Sequence, residues 1–264
     1  METNAEQLVK VREARSYARC IGLGLSMAAD HAGVVLRHTW PSVLLCMLLP
    51  FPGIIFFMGQ VDRLMREWRE LGYVPRRKGL DGWKMDACCT ARALANLCIW
   101  LLAGILIVGS AWMAWQMLPH GKWIGMGMMV VLYLALQPLF MAAMEIEYSD
   151  KRIGQCLSGF LTGYRHYGSL FAFELLLAIL VAAITLPGVL PAGITSLAGS
   201  KALAAAQMGD TVMMPPMLPL ILMAEYFLAI FSMLVSYVVE TFCSTLFWGS
   251  IQAREEENRE DKLG

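Results

Sequence analysis

Apolar runs of about 20 nearly uncharged residues recur along this chain, and they constrain its fold more than any other feature. A helix rises about 1.5 Å per residue and the hydrocarbon core of a bilayer is roughly 30 Å thick, so one such run is long enough to cross it. The runs are 40–58, 94–118, 123–144, 168–190 and 216–250. They predict an all-α, polytopic membrane protein with about five membrane segments, organised as a single membrane domain over 1–264.

The composition agrees with this class. The chain has 264 residues, of which 58% are hydrophobic and 16% charged, and its mean hydropathy is +0.56. Ordinary soluble domains are roughly 45–50% apolar and about 25% charged. A soluble helical bundle is the alternative, but its helices would each show a polar face, and the helices predicted here do not.

The first apolar run leaves two alternatives open. Its centre reads "LLCMLLPFPGIIFF" over Leu44–Phe57, with Pro50, Pro52 and Gly53 in the middle. The run either crosses the membrane as a proline-kinked helix or re-enters, turning back at the Pro-Phe-Pro-Gly sequence. The second alternative keeps the basic N-terminal tail, which shows no export signal, on the cytoplasmic side. The two alternatives therefore predict opposite sides for the N-terminus.

Lysine and arginine counts predict the orientation, because basic residues are enriched in cytoplasmic loops. The connection 59–93 is strongly basic and 145–167 carries three basic residues, whereas the segments between them on the other side carry one each. The C-terminus is expected in the cytoplasm, and the localisation is the inner (cytoplasmic) membrane. The predicted regions are an N-terminal amphipathic cytoplasmic region 1–39, the kinked or re-entrant segment 40–58, a basic cytoplasmic loop 59–93, a transmembrane hairpin 94–144, a cytoplasmic amphipathic segment 145–167, a transmembrane hairpin 168–250 with an external loop 188–215, and a charged cytoplasmic tail 251–264.

The basic loop contains a cluster that is expected to lie against the membrane surface. Basic amphipathic segments next to a bilayer bind anionic lipid headgroups. The bilayer and its anionic headgroups are therefore predicted partners. The cluster consists of Arg63, Arg66, Arg69, Arg76, Arg77 and Lys78.

An amphipathic segment followed by a membrane hairpin recurs in the predicted layout. "IGLGLS" at Ile21–Ser26 resembles "IGQCLS" at Ile153–Ser158, and each precedes an apolar run. This layout resembles that of small bacterial multi-pass families such as the membrane domain found beside glycerophosphodiester phosphodiesterases. The resemblance implies a protein of the bacterial inner membrane and transfers no functional residue.

Three carboxylates lie inside apolar runs: Glu174, Glu225 and Glu240. An ionised carboxylate at the centre of a bilayer costs at least about 2.5 kcal/mol, so each is a candidate functional residue facing the bundle or a watery cavity. If 168–190 and 216–250 pack as a hairpin, Glu174 and Glu240 could share one depth and one proton. The alternative is a structural role, in which each carboxylate bonds to a Ser, Tyr or backbone group of a neighbouring helix. Glu225 is expected nearer the outer face.

Other motifs suggest packing rather than chemistry. Gly121 and Gly125 form a G-x-x-x-G spacing that permits close helix approach, either within the chain or in a homo-oligomer. The seven cysteines show no metal-ligand spacing, so neither a metal nor a cofactor is predicted. No catalytic motif is present, and the net charge of zero gives no support for nucleic-acid binding.

Three functional classes remain open. The first is a non-enzymatic component that organises a membrane complex with a membrane-protein partner. The second is a small transporter or permease subunit that couples to protons or cations through its intramembrane glutamates, with a Pro/Gly-interrupted segment as found in secondary transporters. The third is an intramembrane enzyme acting on lipid, for which no nucleophile and base are evident in the sequence.

Overall fold

The computed structural model describes residue 11 and residues 13–71, 87–117, 121–149, 153–156, 158–208 and 217–260, and the regular structure in these ranges is entirely helical. The helices, numbered in chain order, are α1 (Tyr17–Asp30), α2 (Ala32–Leu48), α3 (Pro50–Leu71), α4 (Ala87–Met117), α5 (Gly121–Leu136), α6 (Leu139–Tyr148), α7 (Ile153–Cys156), α8 (Gly159–Arg165), α9 (Tyr167–Gln207) and α10 (Leu218–Glu260).

The first apolar run is divided between two helices that pack antiparallel. The chain reverses at Leu49, which has φ −135° and ψ 87°, and α3 begins at Pro50, where the missing N–H leaves no helical hydrogen bond unmade. The Ser42 hydroxyl donates to the Gln60 carboxamide oxygen at 2.7 Å across the pair. Gly53 lies in the first turns of α3 and not at the reversal. A Cβ there would be 2.4 Å from the backbone nitrogen of Cys46, so the missing side chain lets α2 and α3 approach each other closely. The segment 40–58 is therefore a helix–turn–helix and not one helix.

Three helices in the described ranges, α4, α9 and α10, are long and apolar enough to cross a membrane. Helices α5 and α6 meet at a 43° bend, and together they are also long and apolar enough to form a fourth crossing. The sequence predicted about five segments. The difference arises at the first run, because its residues are shared between α2 and α3 and neither helix passes as a span.

Helix α9 is longer than its sequence suggested. The region expected as the external loop 188–215 is helical as far as Gln207, and Pro187 and Pro191 lie inside the helix. The Ala-rich composition of 198–207 favours helix, and two prolines four positions apart fall on the same helix face. Residues 209–216 lie outside the described ranges. Helix α10, with 43 residues, exceeds a perpendicular crossing, as its apolar run predicted.

The bend between α5 and α6 has a local cause in Pro138. Its ring nitrogen cannot donate to the carbonyl of Leu134, so that carbonyl is freed from the helix ladder. The Tyr167 hydroxyl donates to the Leu134 carbonyl oxygen at 3.0 Å, and the Tyr164 hydroxyl donates to that of Ala135 at 3.4 Å. Hydroxyls from α8 and α9 thus replace the lost backbone partner, and they attach the bend to the rest of the bundle.

Helix α8 approaches this bend through two glycines. A Cβ at Gly163 would lie 2.8 Å from Cα of Pro138, and one at Gly159 would lie 3.1 Å from Cα of Ala142. The two positions form the sequence G-F-L-T-G, a spacing that lets helix backbones come close. This contact fixes α8 against the start of α6.

The core surrounds the second half of α10, where almost every residue from Ser236 to Ile251 is buried. Phe247 stacks on Phe173 of α9 with ring centroids 4.0 Å apart and planes 2° apart. Helix α1 runs antiparallel to α10 and also contacts α9, and just before α1 the backbone nitrogen of Arg15 donates to the Ser250 hydroxyl at 2.8 Å. Buried aromatic and aliphatic side chains therefore converge at one end of the molecule, and the candidate site lies among them.

Candidate functional site

Asp62 in α3 is a buried carboxylate at the centre of this core. It is 5% exposed, and its Oδ1 accepts a hydrogen bond of 3.1 Å from the Tyr237 hydroxyl of α10. Its Oδ2 has no hydrogen-bond partner among the described residues. Burial raises the pKa of Asp62 well above its usual range and the Glu147 charge raises it further, while the Tyr237 hydrogen bond and the Arg69 charge act in the opposite direction. A carboxyl group in such a site favours its neutral, protonated form.

Two further carboxylates surround Asp62. Glu147 near the end of α6 accepts a hydrogen bond from the side-chain amide of Asn96 in α4. Glu240 of α10 is close enough to Glu147 for their charges to interact. Four helices, α3, α4, α6 and α10, therefore bring acids and their hydrogen-bond donors together. We call Asp62, Glu147, Glu240 and Tyr237 the acid cluster.

Arg69 places a positive charge close to the acid cluster. Its guanidinium carbon lies 5.7 Å from the ring centroid of Tyr148 and 5.4 Å from that of Trp248. Both rings are buried, so the cation is held against aromatic faces inside the protein. A planar guanidinium held beside two aromatic rings can supply positive charge to the acid cluster without leaving its place.

The predicted basic patch is only partly within the described ranges. Arg63 lies 3.8 Å from Glu67, and both side chains are less than one-fifth exposed. Arg66, like Arg69, is half-buried. These three arginines are thus partly buried and contact protein groups, and their binding to lipid headgroups stays a prediction. Arg76, Arg77 and Lys78 lie outside the described residues, and their binding to anionic headgroups stays a prediction.

Glu174 and Glu240 do not lie opposite each other. Contacts between α9 and α10 join Thr185 to Ser236 at 3.1 Å and Thr195 to Glu225 at 2.9 Å, so residue numbers that face each other sum to about 420. Glu174 is therefore level with position 246, and Glu240 is level with position 180. The two carboxylates are about six residues, or roughly 9 Å, apart along the helix axes. Each has a different neighbour instead.

That neighbour of Glu174 is Gln137, at the bend between α5 and α6. The Gln137 side-chain nitrogen donates to Glu174 Oε2 at 2.8 Å, and both side chains are at least nine-tenths buried. The remaining oxygens, Gln137 Oε1 and Glu174 Oε1, have no hydrogen-bond partner in the part of the chain that the structure describes. Glu174 thus belongs to a second polar site, separate from the acid cluster.

The remaining sequence candidates take structural positions. Glu225 accepts its hydrogen bond from Thr195 across the α9–α10 pair. A Cβ at Gly125 would lie 2.8 Å from the carbonyl oxygen of Ala111, so this glycine serves packing between α4 and α5 of the same chain. Gly121 is the first residue of α5.

Sequence reasoning missed several residues of these sites. Asp62 lies in the polar-looking stretch "GQVDRLMREW", and Glu147 lies just beyond an apolar run, so neither stood out as intramembrane. Two sequence patterns pointed to the acid cluster. Tyr237 and Glu240 are three positions apart on one helix face, and Glu147 and Tyr148 are adjacent just beyond an apolar run. The G-x-x-x-G spacing of Gly159 and Gly163 is also visible in the sequence and predicts close helix packing, and the two glycines do pack against α6 and the residue before it.

The fold and these sites define a class. This is a membrane-embedded, multi-pass helical protein. It has long apolar helices, many exposed large hydrophobic residues on its surface, and buried polar clusters between its helices. Within the described ranges, no group of three or more His, Cys, Asp or Glu side chains has an arrangement that could hold a metal ion. No protein-family model, curated protein or solved structure matches this chain.

Proposed function

We propose that this protein binds a proton in the acid cluster and works as a small transporter or permease subunit. The observation that carries the proposal is the Asp62 carboxyl group, which is 5% exposed, accepts a hydrogen bond from Tyr237 and lies beside a second acid. Ionisable side chains buried in helical membrane proteins commonly belong to ion or proton pathways. This function is the second of the three classes that the sequence left open.

The acid cluster is suited to exchange a positive charge. Neighbouring carboxylates in a poorly hydrated site oppose full ionisation, so binding of a proton lowers their electrostatic energy. Tyr237 donates to Asp62, and Asn96 donates to Glu147, so these two acids are each held in a fixed orientation. Because α3 contributes Asp62 and α10 contributes Tyr237, a relative movement of these helices would change the affinity for the ion.

We further propose that the α2–α3 pair is re-entrant and enters the bilayer from the cytoplasmic side. Large apolar side chains at its tip are exposed, with Leu48 79% and Phe51 83% exposed, which suits contact with lipid. Buried charged and polar residues begin further along α3, at Gln60 and Asp62. A re-entrant hairpin beside a buried acid resembles the interrupted helices with which secondary transporters bind ions. The cytoplasmic side follows from the basic connections.

Ion movement in proteoliposomes tests the function. Purified protein is reconstituted with a trapped pH-sensitive dye, and a proton gradient is imposed. We expect the wild-type protein to dissipate this gradient faster than protein-free vesicles and Asp62→Asn to remove that increase. Glu225→Gln, which changes a carboxylate outside the acid cluster, is the matched control. Equal rates for wild type and Asp62→Asn would refute the proposal.

A second candidate is the non-enzymatic component that organises a membrane complex. Helix α10 continues as a charged, largely exposed helix to Glu260, beyond the buried core, and offers a surface for a membrane-protein partner or a second copy. Deletion of 255–264 separates the two functions. Loss of the native assembly on gels with ion movement intact would assign the tail to assembly, whereas loss of neither would refute this candidate.

A further inference from the structure

We infer that Glu174 and Gln137 form a second proton-binding site, in which one proton joins the bend of α5 and α6 to α9. The site is distinct from the acid cluster, and the inference does not require ion movement through that cluster. It depends on the hydrogen bond between the two side chains, on their burial and on the two oxygens that have no partner.

The two side chains have complementary hydrogen-bonding groups when Glu174 is neutral. The Gln137 nitrogen already donates to Glu174 Oε2 at 2.8 Å. Glu174 Oε1 and Gln137 Oε1 are both buried oxygens without a partner among the described residues. A carboxylic acid and a carboxamide can make two antiparallel hydrogen bonds, N–H to C=O and O–H to C=O. A proton on Glu174 Oε1 would supply the missing donor, and the terminal torsions of both side chains can rotate to align it.

Without that proton the pair is left with an unfavourable arrangement. Glu174 would carry a negative charge in the apolar interior, and its free oxygen and that of Gln137 would both be acceptors. A buried charge and an unsatisfied buried acceptor each cost free energy that protonation would remove. Proton uptake therefore converts a strained pair into one in which every polar atom is satisfied.

Other ionisable groups near this pair have partners of their own. The hydroxyls of Tyr164 and Tyr167 donate to backbone carbonyls of α5, and His166 at the α8–α9 corner lies 3.7 Å from Glu255 of α10. Further ionisable groups lie on the helices packed against this pair, and none of them donates to Glu174 Oε1 within the described residues. They include Glu145 and Glu147 of α6, Tyr17, Arg19 and Asp30 of α1, and Tyr237, Glu240 and Arg254 of α10. Gln137 is therefore the group in this part of the chain that can share a proton with Glu174.

The position of Gln137 gives the proton a structural effect. Gln137 immediately precedes Pro138, which bends the span by 43° and packs against Gly163 without room for a Cβ. When Glu174 is protonated, two hydrogen bonds hold the bend to α9. When it is ionised, one bond remains beside two opposed acceptors, so the attachment between the two parts of the bundle weakens.

Infrared spectroscopy on protein labelled with ¹³C at the glutamate carboxyl groups, in lipid nanodiscs, tests the inference directly. We expect wild-type protein at neutral pH to show a protonated glutamic acid C=O band that Glu174→Gln removes. We also expect Gln137→Leu to move this band, because the carbonyl loses its donor. Glu225→Gln, the control in the same helix pair, should leave the band that responds to Gln137→Leu in place.

Thermal unfolding provides a second readout. Glutamine at position 174 can both donate and accept, so Glu174→Gln should imitate the protonated pair. We expect wild type to lose about 2–4 °C of melting temperature between acid and alkaline pH through this site, and Glu174→Gln to remove that loss. Absence of a protonated glutamate band in wild type, or a band unchanged in Gln137→Leu, would overturn the inference even if Glu174→Gln fails to fold. These readouts need no ion flux, so they are independent of the test of the acid cluster.

Discussion

Substituting Gly53 with alanine tests whether α2 and α3 pack as a hairpin. A Cβ at this position would lie 2.4 Å from the backbone nitrogen of Cys46 and 2.5 Å from its Cα. Ordinary contacts of this kind begin near 3.4 Å, so the two helix backbones must separate by roughly 1 Å. Because backbone atoms cannot rotate away, we expect the full penalty of overpacking, about 1–3 kcal/mol.

The matched control is Gly22→Ala in α1, where a Cβ would meet nothing within 4 Å. Both substitutions gain about 1 kcal/mol of helix propensity, so the difference between the two variants isolates the steric cost. We expect Gly53→Ala to be less stable than Gly22→Ala by about 1–3 kcal/mol, or roughly 2–12 °C in melting temperature. The assay is reversible unfolding in detergent or nanodiscs, followed by tryptophan fluorescence. If Gly53→Ala is as stable as Gly22→Ala, the helices do not touch there, and a kinked spanning helix becomes the better description of 40–58.

Three further outcomes follow from described contacts. Asp62→Asn removes a group whose pKa is raised in the folded state, so the wild type should lose stability relative to the variant as pH rises above 3.8. Chemical denaturation should show a loss of up to about 1.4 kcal/mol per pH unit, and parallel pH profiles of the two proteins would contradict this. Gly163→Ala should destabilise the fold by about 1–3 kcal/mol relative to Gly168→Ala, where a Cβ is unobstructed; equal melting temperatures would show that α8 does not press on the bend. Ser250→Ala removes the hydroxyl that accepts from the Arg15 nitrogen and donates to its carbonyl, so it should cost about 1–3 kcal/mol and speed proteolysis of the N-terminal segment; an unchanged cleavage rate would argue against that contact.

Local sequence predicted the helical class and the apolar spans, because length and hydropathy are local properties. The runs that became α4, α9 and α10 needed no tertiary information. The reversal at Leu49 stayed open, since Pro50 and Pro52 are compatible both with a kinked helix and with a turn. The segment expected as the loop 188–215 is helical as far as Gln207, since its alanines favour helix and Pro187 and Pro191 lie inside α9.

The sites were harder to predict because they depend on helix register and on distant contacts. Hydropathy gives no register between α9 and α10, so it could not place Glu174 level with position 246 instead of beside Glu240. Asp62 and Tyr237 are 175 positions apart, and Asp62 has charged sequence neighbours. Only the packing of α3 against α10 shows that this aspartate is buried.

The bond between Arg15 and Ser250 also bears on the number of membrane crossings. Two residues whose atoms are 2.8 Å apart lie at the same depth, so if both lie outside the bilayer, the chain between them crosses it an even number of times. The antiparallel α2–α3 pair contributes either no crossing or two. Helices α4, α9 and α10 are each long and apolar enough to cross once, and three crossings alone would not bring the chain back to its starting side. Counting therefore favours α5 and α6 together as a fourth, bent crossing, with Pro138 at its bend.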